Sequence, residues 1–121
     1  RALKLPVSAP FHSSLMKPAE ETMADALAKA DIATPVVPVI ANITAERESD
    51  ADTIRLNLVR QVTGRVRWRE SVATMTGLGV DTFVEIGAGK VLSGLVRRID
   101  PEVSTLSIGT PADVETFLKS L

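Results

Sequence analysis

The run Thr82-Phe83-Val84-Glu85-Ile86, followed at once by Gly87-Ala88-Gly89, constrains the fold more than any other stretch of the chain. Five residues dominated by β-branched and aromatic side chains read as a strand. The glycines then supply a tight turn. From Lys90 to about Ile99, the side chains of Val91, Leu92, Leu95, Val96 and Ile99 recur at helical spacing. A further strand is expected from Val103 to Ile108. The last helix is expected to begin with Thr110 as N-cap, Pro111 at the first helical position and Asp113 three residues after the cap, with Val114, Phe117, Leu118 and Leu121 as its apolar stripe.

Earlier segments repeat the alternation. Leu3 to Val7 reads as a short strand broken by Pro10. Residues 17–30 read as a helix, with Pro18 in its first turn and Met23, Leu27 and Ala30 on one face. Val36 to Ile40 reads as a short strand, kept to a sheet edge by Pro35 and Pro38. Residues 44–52 are polar and read as a loop too short to separate domains. Helices are expected over 53–62, ended by Gly64, and over 69–78, ended by Gly77 and Gly79. Short strands alternating with helices predict an α/β fold with a parallel sheet covered on both faces.

Composition narrows the function classes. The chain has 121 residues and 45% hydrophobic content, enough for one domain or part of one. Its net charge of −1 gives no pull toward nucleic acid or an anionic membrane, and Phe11, Trp68, Phe83 and Phe117 form no base-stacking platform. With no cysteine and one histidine, a disulfide framework is excluded and a zinc site is not expected. No signal peptide is seen, and the apolar runs fall far short of the ~20 residues of a membrane span. A cytoplasmic location is the expectation. A start at Arg1 rather than Met is what a processed, nicked or truncated chain would show.

The chemistry concentrates in Leu5-Pro6-Val7-Ser8-Ala9-Pro10-Phe11-His12-Ser13-Ser14-Leu15-Met16-Lys17-Pro18. His12 is the only histidine, and it lies between a strand-like and a helix-like run, where α/β enzymes usually set their catalytic groups. It is the one side chain here able to serve as a general base without a tuned pKa. The bland alternative is a histidine that satisfies hydrogen bonds in a turn. Ser13 and Ser14 do not converge on it and are expected to cap the following helix. Gly87-Ala88-Gly89-Lys90 lacks both the Gly-x-x-x-x-Gly-Lys-Ser/Thr and the Gly-x-Gly-x-x-Gly patterns, so a tight turn is the better reading than a phosphate loop. Arg65, Arg67, Arg69, Arg97 and Arg98 are read by default as solvated.

The His12 segment is similar to the histidine segment of the malonyl-CoA:acyl carrier protein transacylases. So are Leu58-Val59-Arg60-Gln61-Val62-Thr63-Gly64-Arg65-Val66-Arg67-Trp68 and Phe83 to Leu95, in the family's order and at about its spacing. The resemblance covers essentially the whole chain and implies the C-terminal part of an α/β-hydrolase-like acyltransferase core, with residues 1–121 forming the C-terminal part of the catalytic domain. It implies that His12 acts as general base and acid, that the backbone carbonyl of Gln61 orients it, and that Phe11 borders the acyl pocket and favours malonyl. The family's serine elbow, carboxylate-binding arginine and oxyanion loop lie upstream, and no Gly-x-Ser-x-Gly occurs here. The implied substrate is malonyl-CoA, with no permanently bound cofactor and no metal. The implied partners are the N-terminal part of the same enzyme, acyl carrier protein and the coenzyme A thioester. A fragment of a polyketide synthase acyltransferase domain and a non-catalytic binding module are the alternatives.

Overall fold

Pro18 stands in the first turn of helix α1 (Lys17–Lys29), where its missing N–H removes no intrahelical bond. A short 3₁₀ turn, Ser14–Met16, leads into it. The computed structural model describes residues 8–120; the strand expected from Leu3 to Val7 and the stripe residue Leu121 lie outside the described residues. The chain divides into two units, Arg1–Ser71 and Val72–Leu121.

The first unit pairs α1 with α2 (Ala51–Arg60). Asp50 starts α2 as its N-cap: its carboxylate accepts from the Thr53 N–H at 2.7 Å and from the Thr53 hydroxyl at 2.8 Å. These bonds favour the charged carboxylate and hold its pKa below the usual value. Arg55, one turn further on, donates to the carbonyls of Leu27 and, at 2.9 Å, Ala30. Those carbonyls lie at the C-terminal end of α1, where Leu27 accepts a long 3.3 Å bond from the Ala30 N–H and where the helix dipole has its negative end. Because the start of α2 is tied to the end of α1, the two helices run antiparallel.

Between the helices lies a feature that the sequence pattern did not suggest. Strand β1 (Val39–Ile40) pairs antiparallel with β2 (Arg47–Glu48), inside the segment expected to be a loop. The expected strand over 36–40 shrinks to its last two residues, since Pro38 has no N–H to give a ladder. Ala41 and Ala45 close the connection through a 2.7 Å backbone bond. Both are buried, with Asn57 beside them in the buried set.

Helix α3 (Trp68–Gly77) runs through the unit boundary. In the second unit, β3 (Thr82–Ile86) and β4 (Ser104–Ile108) pair in parallel, in a register that sets Thr82 opposite Ser104 and Ile86 opposite Ile108. Helix α4 (Val91–Ile99) makes the crossover and contacts both strands, and α5 (Pro111–Leu118) packs on β4. The fold is α/β. It is not parallel throughout, since β1 and β2 are antiparallel. The expected capping box is present: Asp113 N–H donates to the Thr110 hydroxyl at 3.2 Å, and the Asp113 carboxylate accepts from Thr110 N–H at 2.9 Å.

The apolar stripes are less buried than their periodicity predicts. Of the α4 stripe, Val96 is buried and Ile99 half-buried, while Val91, Leu92 and Leu95 are exposed. On α5, Val114 and Leu118 are exposed. The buried face of α4 instead includes Ser93, whose hydroxyl reaches Glu85 at 2.7 Å and Ser107 at 2.9 Å. The arginines also depart from a purely solvated reading. Arg67 donates to the Thr44 carbonyl at 2.6 Å, and Arg97 to the Thr105 hydroxyl at 2.7 Å.

Glu85 organises the second unit. Its carboxylate accepts from the backbone N–H groups of Leu92 and Ser93, at 3.1 and 2.8 Å. A strand residue therefore supplies the N-terminal cap of α4, which Lys90 at the cap position does not. The backbone bond from Ser93, then its hydroxyl, hold the Glu85 pKa below its ordinary value of 4.5. A carboxylate lowered on folding contributes stability that is present above the unfolded pKa and lost as pH falls through the folded one. Glu85→Gln should therefore lower the thermal midpoint at neutral pH, and the gap from the parent should close as pH drops below 4.5. A gap that persists unchanged to pH 3 would show that the charge of Glu85 is not what matters.

Candidate functional site

Residues 10–16 form a compact turn closed by their own backbone and by one serine. The Ser13 hydroxyl donates to the Pro10 carbonyl at 2.7 Å, and Met16 N–H donates to the Ser13 carbonyl at 3.0 Å. Ser13 therefore secures the turn from within; its side chain does not cap the helix as expected. His12 sits in this turn at φ 55°, a left-handed conformation that costs an L-residue about 1 kcal/mol. Sites of function tend to hold such conformations against their cost.

The imidazole is held across a long sequence separation. Nδ1 lies 2.9 Å from the carbonyl oxygen of Gln61 and 3.1 Å from that of Gly64. Carbonyl oxygens only accept, so Nδ1 carries the proton and donates to both. The neutral ring then presents Nε2 as a lone pair, and no described residue hydrogen-bonds it. His12 is exposed, which leaves that nitrogen open to a reacting group.

The acceptors come from the frayed end of α2. Gln61 is its C-cap, and its N–H bonds Asn57 at 3.0 Å. The chain turns at 61–63, and Gly64 N–H closes back on the Arg60 carbonyl at 3.1 Å. The Gln61 carbonyl lies just past the last helical residue, where the helix dipole places partial negative charge. An imidazolium at this position would be favoured by that partial charge without a carboxylate.

Sequence reasoning brought Gln61 to His12 but missed Gly64 as the second acceptor. The signal was its glycine. A Cβ on Gly64 would run into the terminal methyl of Ile43 and meet the Arg60 carbonyl at 3.1 Å, so a side chain here requires Ile43 to shift. Phe11 is 55% exposed and lies outside the core of the described chain. The Gly87-Ala88-Gly89 turn has Gly87 at φ 137° and Gly89 at φ 96°, as a tight strand-to-helix connection requires. The N–H groups at the start of α4 that a phosphate would need already bond Glu85.

Among the described residues, no group of three or more His, Cys, Asp or Glu side chains is arranged to hold a metal ion. No described helix is long and apolar enough to cross a membrane.

An exposed imidazole with Nδ1 on two backbone carbonyls and Nε2 unengaged among the described residues is a group able to take up and return a proton. Comparison with known proteins bears on the family. No family model matches the chain. It is 41% identical over 121 residues to the malonyl CoA-acyl carrier protein transacylase of Bacillus subtilis, covering 100% of this chain and 38% of that protein. It is 42% identical over 119 residues to that of Escherichia coli K12, covering 98% of this chain and 38% of that protein. Among solved structures, the acyl-carrier-protein S-malonyltransferase of Bartonella henselae matches with a TM-score of 0.90 and 50% identity, over 99% of this chain and 38% of that one. A malonyl-transacylase in complex with its type II polyketide synthase acyl-carrier protein matches with a TM-score of 0.89 and 40% identity, over 100% of this chain and 39% of that one. The chain is thus homologous along its whole length to the C-terminal portion of the malonyl CoA-acyl carrier protein transacylases, and it spans about 38% of the length of these relatives.

Gly64→Ala should destabilise the protein by about 1 kcal/mol, at the low end of overpacking costs, because the Ile43 methyl can move aside. Adding Ile43→Ala should recover part of that loss, as a double-mutant cycle of thermal unfolding would measure. Strict additivity of the two changes would mean that the contact is not the cause.

Proposed function

We propose that this chain supplies the general base of a malonyl transfer from coenzyme A to the phosphopantetheine thiol of an acyl carrier protein. The observation that carries the reading is the pair of carbonyl acceptors on His12 Nδ1 in a chain 41–43% identical to transacylases over its length. Residues 1–121 are read as the C-terminal part of the catalytic domain, acting in the cytoplasm with an N-terminal part that bears the serine nucleophile. No resident cofactor is invoked, and malonyl-CoA enters as substrate. Whole-length identity to transacylases makes a non-catalytic binding module the weaker reading.

In this mechanism the serine hydroxyl attacks the malonyl thioester carbonyl while its proton passes to His12 Nε2. The tetrahedral intermediate collapses and the C–S bond breaks. The coenzyme A thiolate leaves with the proton from the imidazolium. The carrier thiol then gives its proton to Nε2 and attacks the acyl-serine ester, and the serine oxygen recovers the proton as it leaves. Throughout, Nδ1–H remains on the carbonyls of Gln61 and Gly64. That fixes the tautomer, and the negative end of α2 favours the transient cation. Phe11, next to the base, is assigned to the wall of the acyl pocket, where a ring leaves little room for a methyl on the malonyl α-carbon.

The same reading accounts for the exposed apolar surface. Ile86 and Val91 are 79% and 71% exposed, and Val36 fully so. Side chains of this kind gain about 25 cal/mol per Å² when covered. Contact with the N-terminal part of the enzyme is the cover we assign to them.

In the complete enzyme, His12→Ala should slow malonyl transfer at least ~10²-fold with little change in thermal stability. Transfer near the parental rate would remove His12 from the mechanism. Gln61→Ala keeps the backbone carbonyl and should retain most activity. A loss equal to that of His12→Ala, in a folded protein, would assign the role to the Gln61 side chain instead.

A further inference from the structure

We propose that Glu20 is a positioning residue for His12: by accepting from the Thr63 hydroxyl, its carboxylate fixes the turn whose Gln61 and Gly64 carbonyls hold the imidazole. The inference rests on the base role proposed for His12 and extends it to the residues that set the ring.

The two oxygens of Glu20 have separate partners. Oε1 takes the ammonium of Lys17, and Oε2 takes the hydroxyl of Thr63, 43 residues away in sequence. The Glu20 side chain is 15% exposed, against 60% for Lys17. Its pKa is lowered, first by the bond from Lys17 and then by that from Thr63, so it is an ionised acceptor at neutral pH. Glu20 also stands in the first turn of α1, where the helix dipole favours a negative charge.

Thr63 lies between the two carbonyls that matter. Residues 61–63 are a turn rather than helix, and the backbone bonds that shape it are those of Gln61, Val62 and Gly64. Contacts from outside the turn add to these bonds in setting the Gln61 and Gly64 carbonyls. Ile43 supplies one, through its close approach to Gly64. Glu20 supplies the other through Thr63. Lys17, Glu20, Thr63 and Gly64 line one open cleft, so these contacts are contiguous in space. Carbonyls turned away from the ring would no longer select the Nδ1–H tautomer, and Nε2 would then no longer be held as the free base.

The test uses the complete acyltransferase polypeptide, ¹⁵N-labelled on histidine, with the His12 signals assigned by their absence from His12→Gln. At a pH where the imidazole is neutral, the two nitrogen shifts report which one holds the proton. Transfer kinetics are measured on the same samples. The parent should show the Nδ1–H tautomer. Thr63→Val and Glu20→Leu should give mixed tautomers and a kcat lower by about tenfold or more, with KM for the acyl donor little changed. Thr63→Ser and Glu20→Gln keep a donor and an acceptor, and should retain the parental tautomer and most of kcat. A folded Thr63→Val protein with the parental tautomer and kcat would overturn the proposal. So would losses in Thr63→Ser and Glu20→Gln as large as in the apolar variants. If Glu20→Leu does not fold, the Thr63→Val and Thr63→Ser pair decides. If the parent shows no transfer, the base role fails, and the tautomer comparison still settles whether Glu20 and Thr63 set the ring.

Discussion

The antiparallel pairing of α1 and α2 is the constraint on which the site depends. It is fastened at both ends by polar side chains on helix termini. At one end the Arg55 guanidinium bonds the last carbonyls of α1. At the other, the turn before α1 and the first turn of α1 meet the end of α2, through His12 on the Gln61 and Gly64 carbonyls and Glu20 on Thr63. Each fastening uses backbone or side-chain groups at a helix end, so the same bonds join the helices and build the site. Apolar burial adds little here, since neither helix has a fully buried hydrophobic residue.

The use of carbonyls in place of a carboxylate has a chemical consequence. A carboxylate partner carries a full charge and strongly favours the imidazolium. Two peptide carbonyls at a helix C-terminus carry partial charges, enough to orient the ring and to ease a transient cation without fixing it in the protonated form. That is the behaviour the proposed reaction would need, since there the histidine takes a proton and gives it back twice. The left-handed conformation of His12 belongs to the same design, because it turns the ring toward a helix end nearly fifty residues away.

The second unit follows a similar economy of polar groups. Glu85 on β3 caps α4, Ser93 on α4 reaches back to Glu85 and Ser107, and Arg97 reaches Thr105 on β4. The crossover helix is thus held to its strands by hydrogen bonds as well as by Val96 and Ile108, which are buried. Many remaining apolar side chains, Ile86 and Val91 among them, are exposed. The periodicity of α4 marks Val91, Leu92 and Leu95 as residues to be buried, and in this chain they are exposed.

What the sequence determined by itself was local. β3 and the capping box of α5 were legible because β-branched runs, prolines and Thr-x-x-Asp spacing act on neighbouring residues. His12 was legible as a candidate because it is the only histidine, and Gln61 because its neighbourhood resembles a known family's. What only the tertiary structure decided were the partners supplied from far along the chain. β2 arises where polar residues looked like a loop, and pairs with the end of the strand expected over 36–40, because strand pairing is a contact between segments and not a property of either one. Gly64 as second acceptor, Glu20 on Thr63 and Glu85 on α4 all join groups well separated in sequence. No periodicity or propensity reports such contacts, because their energy exists only once the chain has brought the two ends together.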